Sequence, residues 1–313
     1  MGVRTEVGNE QPDMSLFRHR GVARCLSVAV SWLTGHFGRL LWLTLPVALP
    51  MVMAVGGVLY VGSDASWFEY STTGWWLMGG LAGVAVVAYA AWLSVVYDLA
   101  EWQERGADWQ RLRWKHVLNG RWARRALKIL LAIVMELLVV GVFVGLYHLV
   151  GLIPMQQDVP EMVFAKVAGY VVLAVLVVGA MVPMCQCVPS VALGSENNVF
   201  ERMWRGYAMG WCKWGKVFAL VLLAGIIVTC LLLMTGSPAI IMYFARHEAA
   251  VSLLQGDAVA LPSGFAGWAA VLFVVSAYVA LLLHMVNHLS QVYLYGSNKA
   301  DADEAQRNKI PMM

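Results

Sequence analysis

Residues 99–153 read LAEWQERGADWQRLRWKHVLNGRWARRALKILLAIVMELLVVGVFVGLYHLVGLI. The first thirty positions carry eight cations: Arg105, Arg111, Arg113, Lys115, Arg121, Arg124, Arg125 and Lys128. The next 25 carry none, and Glu136 is their only carboxylate. An apolar run of that length crosses a bilayer as helix, which takes roughly 20 residues. Its one-sided cationic flank fixes the direction of crossing, because Lys and Arg stay on the cytoplasmic side.

The same alternation continues in both directions. Apolar runs fall at about 40–61, 75–98, 128–153, 166–193, 217–245 and 265–295, each long enough to span. Of the 22 Lys and Arg residues, all but Lys166 and Arg246 lie before the first run, at 99–128, at 194–216 or after the last. The other connections hold Asp64, Glu69, Asp158, Glu161, Glu248 and Asp257. The sequence therefore predicts an all-α membrane protein with six transmembrane helices and both termini cytoplasmic, in a bacterial inner membrane. Composition agrees. Sixty per cent of residues are hydrophobic, 13% are charged and mean hydropathy is +0.67, whereas a soluble domain carries about twice that charge.

Three units follow one another. Arg39, Lys128 and Lys216 each close a basic segment and open a span, 89 and then 88 residues apart. The spans are expected as three hairpins, each preceded by an amphipathic interfacial helix on the cytoplasmic side. Around Trp204, the side chains of Phe200, Met203, Tyr207, Trp211, Trp214 and Phe218 fall within roughly 100° of one helical face, with Glu201, Arg202, Arg205, Lys213 and Lys216 on the other. Lipid contact is expected for Trp204, Tyr207, Trp211 and Trp214. In the first unit Arg20 and Arg24 line a polar stripe toward headgroups, opposite Cys25, Ala29 and Trp32. The middle unit is weaker: Arg121, Arg124, Arg125 and Lys128 share a face, but 109–120 shows no clean split. The membrane domain is expected over 16–296, with 1–15 and 297–313 as disordered cytoplasmic ends.

Within the spans, Gly79 and Gly83 suit close helix contact. Pro46, Pro50, Pro183, Pro189 and Pro238 should bend their helices. Trp67, Trp75, Trp76 and Trp268 are expected at the outer interface, and Tyr293 and Tyr295 at the inner end of the last span. None of the five cysteines lies in an outer connection, so no disulfide framework is expected.

The catalytic signatures fail. There is no phosphate-binding glycine loop, no Gly-x-Ser-x-Gly, and His247-Glu248 lacks a histidine four residues after the first. No connection exceeds about 35 residues, against roughly 100 for a soluble domain. A non-enzymatic protein without cofactor is expected. Orientation accounts for the basic segments, so no nucleic acid is expected; the partners are the lipid bilayer and a membrane protein or a second copy.

Polar groups inside spans are costly and tend to have roles. Glu136, the set His284, Asn287 and His288, and the pair Cys185 and Cys187 all lie roughly 10–16 Å from the basic ends of their spans, at 1.5 Å per residue. Three readings follow. The preferred one is a scaffold or accessory subunit acting through lipid and partner contacts. The alternative is a small transporter or lipid-handling protein using Glu136, His284 and His288. The third is a soft-metal site from Cys185, Cys187, His284 and His288, although 200° separates the two thiols on a regular helix.

The run Val191-Ala192-Leu193, a short loop with Glu196, and the aromatic-basic helix with Phe200, Arg202, Trp204, Arg205, Gly206 and Trp214 resembles bacterial membrane families with repeated hairpins. These include the membrane domain of some glycerophosphodiester phosphodiesterases. The resemblance implies a helical membrane domain. The hydrolase activity belongs to a catalytic domain for which these residues leave no room, and no functional residue is carried over.

Overall fold

A computed structural model describes residues 15–69, 72–106, 108–152, 160–194, 198–257 and 261–307. All regular structure among them is helical: α1 (Val22–Gly35), α2 (Phe37–Gly62), α3 (Ser66–Glu69), α4 (Thr73–Glu104), α5 (Trp114–Val117), α6 (Gly120–Gly151), α7 (Pro160–Met184), α8 (Cys187–Ala192), α9 (Val199–Cys212), α10 (Trp214–Leu254) and α11 (Phe265–Arg307). Six are long and apolar enough to cross a membrane: α2, α4, α6, α7 continued by α8, α10 and α11.

Consecutive long helices pack together, α2 on α4, α6 on α7 and α10 on α11. The pairs join through α4 on α6, α7 on α10 and α11 on α2, so each long helix meets two neighbours and the order closes on itself. The first and third units share a local design. In each, a 14-residue helix meets its long helix at one residue, His36 at φ −123° and ψ 18°, and Lys213 at φ −115° and ψ 29°. In each, the short helix packs on the second long helix of another unit: α1 on α11 of the third, and α9 on α7 and α8 of the second.

The middle unit departs from the expected lead-in. Only a 3₁₀ turn at Trp109–Arg111 and the four-residue α5 precede α6. Asn119 ends the segment by accepting from the Arg121 and Trp122 amides, which starts α6 at Gly120. The aromatic side chains are tied down instead: Trp109 donates to Gln103 at 2.5 Å and Trp114 to the Trp42 carbonyl at 2.9 Å.

Packing is concentrated at the basic end. Apart from Gly74, the buried residues of α4 run from Ala88 to Ala100, and those of α6 are Ile129, Ala132 and Ile133. Toward the other end α6 and α7 stand apart, while α2, α10 and α11 stay together around Ala239, Ala269 and Phe273. Gly79 and Gly83 meet nothing within 4 Å of a built Cβ and so make no close helix contact. The close approach lies on α2, where a Cβ at Gly56 would stand 2.8 Å from Val274 of α11.

Both exceptional cations of the acidic side are accounted for. Lys166 donates to the Gly151 carbonyl at the end of α6, 3.0 Å away. The Arg246 guanidinium lies 3.8 Å over the Tyr60 ring and 3.4 Å from Asp64, tying α10 to the end of α2. At that end Trp75, Trp76 and Trp268 are exposed.

The chain ends are more ordered than expected. The last helix continues to Arg307, and Ser297 and Asn298 are buried, so 297–307 is structured. The segment before α1 lies across it. Leu16 is buried against Gly296, the Arg20 amide donates to Ser297 Oγ at 2.8 Å, and His19 pairs with Asp301, which also meets Lys216 at 3.1 Å. This strap explains two corrections. Arg20, expected toward lipid headgroups, is buried with its guanidinium 5.4 Å from the Tyr293 ring centre. Tyr293 and Tyr295, expected at the interface, are buried core residues. Arg24 remains exposed. Residues 1–14, 195–197 (with Glu196) and 308–313 lie outside the described residues.

The apolar arc of α1 faces protein, with Cys25, Val28, Ala29 and Trp32 buried, rather than lipid. Burial pushes the Cys25 thiol up to about 11, against the pull of nearby Arg20 and Lys216. At neutral pH it is a thiol and is enclosed, whereas Cys212 at the end of α9 is exposed. Maleimide treatment at pH 7 is expected to modify Cys212 in the folded protein and Cys25 only after denaturation, read by peptide mass spectrometry. Equal rates at both would contradict the packing of α1.

Candidate functional site

The polar residues of the spans come together where the basic-end packing stops. The Tyr89 hydroxyl on α4 is hydrogen-bonded to His288 Nε2 on α11. His284 stands one turn away, its ring 4.7 Å from that of His288 and 6.0 Å from that of Tyr89. Neither α4 nor α11 is the other's partner in the helix order, so this contact crosses the bundle interior behind α2.

Glu136 enters from α6. On that helix Ile129, Ala132, Ile133, Glu136, Val140 and Phe143 recur at three- and four-residue steps and form one stripe. The first three are buried, whereas Val140 and Phe143 line an open cleft. Glu136 marks the change from closed to open. It lies within electrostatic range of Tyr89, Tyr97, Cys185 and Cys187. Its Oε1 is enclosed without a hydrogen bond among the described residues, while the side chain as a whole is half-buried.

The third contribution comes from the break between α7 and α8. Pro183 sits in the last turn of α7, and Cys185 and Gln186 form the turn before α8. Gln186 is fully buried, and neither amide atom has a hydrogen-bond partner among the described residues. Such an enclosed amide is uncommon and costs about 1–3 kcal/mol of unrecovered hydration. Helix α9 closes the break from outside, its Gly206 and Gly210 lying against the backbone of Pro183, Gln186 and Cys187. Ser190 fastens it by donating to the Arg202 carbonyl at 2.9 Å.

The expected residues fall out as follows. His284 and His288 meet Tyr89, and Glu136 lies within electrostatic range of Tyr89 from α6. Asn287 is turned along its own helix and accepts from Gln291 at 3.4 Å. The two thiols separate: Cys185 faces the Met181 carbonyl at 3.7 Å, and Cys187 faces the Met203 carbonyl of α9 at 3.5 Å. No group of three or more His, Cys, Asp and Glu side chains is gathered for a metal among the described residues. On α9, Trp204 and Trp211 are exposed and Tyr207 is half-exposed between them, with ring centres 6.1 and 6.4 Å apart along the face turned away from the protein. Trp214 stacks on Phe218 at 4.8 Å.

Tyr89, Tyr97 and Gln186 belong to the site and were not singled out from sequence. Each was legible as a hydrogen-bonding group inside an apolar run, the criterion that selected Glu136 and the histidines. Chemically, a Tyr–His hydrogen bond with a carboxyl in electrostatic range can hold a proton or bind a polar group entering from the cleft.

Comparison with family models, with curated proteins and with solved structures finds no match to this chain.

Proposed function

We propose that this multi-pass protein is a small lipid-handling or transport protein of a bacterial inner membrane, with both termini cytoplasmic and Glu136, Tyr89, His284 and His288 as its working centre. One observation supports this reading: the half-buried Glu136 carboxyl, without a hydrogen bond among the described residues and within electrostatic range of Tyr89, which is itself bonded to His288. A carboxyl so placed costs folding energy and returns no structural bond. Its nearness to Tyr89 of α4, which bonds His288 of α11, favours transport over separate structural contacts. The basic end, with its packed core, faces the cytoplasm.

The test is reconstitution of the full chain into vesicles carrying a fluorescent lipid, with a membrane-impermeant quencher reporting which leaflet it occupies. Translocation above protein-free vesicles is expected, falling by about 100-fold or more in Glu136→Gln, the size associated with one positioned proton-transfer group. Rates equal to empty vesicles would count against the reading.

A second reading, a scaffold or accessory subunit, rests on the exposed aromatic face of α9 with Phe200, Trp204 and Trp211. Rings lying in the inner-leaflet interface fit that face, and a partner or second copy could share it. Flat translocation together with a stoichiometric protein partner in mild detergent would favour it.

A further inference from the structure

Helix α7 stands off from both of its neighbours. The cleft between α6 and α7 measures about 670 Å³ and runs from Tyr147 and Tyr170 down to Val140 and Met181. The cleft between α7 and α10 measures about 600 Å³ and reaches Thr229 and Cys230. Val177, Val178 and Met181 line both. The two are alike in size, depth and apolar lining, and they differ at the foot. Glu136 lies one turn below Val140 on α6, just past the residues that line the α6–α7 cleft, and the α7–α10 cleft has no such group one turn beyond its lining on α10.

We propose that the α6–α7 cleft binds a single-chain amphiphile, a long-chain alcohol or protonated fatty acid, with its chain along Val140, Val144, Ala174 and Val177 and its small head hydrogen-bonded to Glu136. The apolar walls lie within the hydrocarbon and select a chain. The volume falls in the range of sites for one small molecule. A charged head is disfavoured, since the hydrocarbon-depth walls offer it no cation. A hydroxyl or neutral carboxyl supplies the hydrogen bond that Glu136 lacks. Entry is sideways from the bilayer, because the foot of the cleft is sealed toward the basic end by Ile129, Ile133 and Val188. The inference rests on the reading of Glu136 as part of the working centre and names what that centre binds.

The second cleft is an internal control, since bulk lipid fills both alike. Full-length protein in vesicles would be irradiated with hexadecanol bearing a mid-chain diazirine, and the label mapped by peptide mass spectrometry. Label on 140–147 of α6 is expected to exceed label on 222–230 of α10 by about fivefold, the effect of one hydrogen bond. Glu136→Leu should bring the two to parity. Ala174→Trp should remove the α6 label and leave the α10 label, which also reports that the variant is folded. Equal labelling in the unaltered protein, or a preference that survives Glu136→Leu, would overturn the proposal. Selective labelling with flat translocation leaves the binding site standing and removes the transport reading; Glu136-dependent translocation with equal labelling does the reverse.

Discussion

Substituting Arg125 by alanine is expected to produce the largest loss of stability of any single change at the basic end, about 3–5 kcal/mol. The Arg125 side chain is 18% exposed and bridges α6 to α4, with Nη1 on Asp98 and Nη2 on Glu101 at 2.8 Å. Asp98 and Glu101 are themselves only 14% and 22% exposed. Removing the guanidinium leaves two adjacent carboxylates facing each other with little water to separate them. The cost comes from that stranded charge more than from the lost bonds. Thermal unfolding in detergent should show a midpoint lower by on the order of 10 °C. Adding Asp98→Asn to Arg125→Ala should restore part of it. A shift within error for Arg125→Ala would mean that α4 and α6 are held by their apolar contacts alone.

Gly210→Leu is expected to come next, at about 1–3 kcal/mol or more. A Cβ at Gly210 would lie 2.6 Å from the Pro183 carbonyl oxygen and 2.8 Å from Pro183 Cα. These are backbone atoms at a helix break and cannot rotate away. Helix α9 must then lift from α8, uncovering Cys187 and the turn that carries Gln186. Stability falls, and Cys187 should become reactive to maleimide. The same substitution at Gly215, where a built Cβ meets nothing within 4 Å, serves as the control. Retained protection of Cys187 in Gly210→Leu would show that the break accommodates the side chain.

The six spans were legible because run length and charge bias are properties of contiguous sequence. What failed was decided by neighbours distant in the chain. Arg20 has the composition of an interfacial cation, but Ser297 and Tyr293, some 270 residues away, enclose it. Gly79 and Gly83 have the spacing of a helix contact, but α4 meets α2 there through Leu81 and Met78, and the glycine face stays open. Tyr293 and Tyr295 sit where a belt residue belongs, yet α11 continues past them and the strap covers it. The site was half legible. Depth along each helix placed Glu136, His284 and His288 at one level. The turn at Cys185–Gln186 and the crossing of Tyr89 to His288 depend on how α4, α7 and α11 meet, which no local pattern encodes.

The strap has a consequence for biogenesis. The apolar arc of α1 finds its binding surface on α11, more than 240 positions later in the chain. Until α11 is made, that arc, with Trp32 and Cys25, lacks its packing surface, so synthesis of α1 and its burial are separated in time.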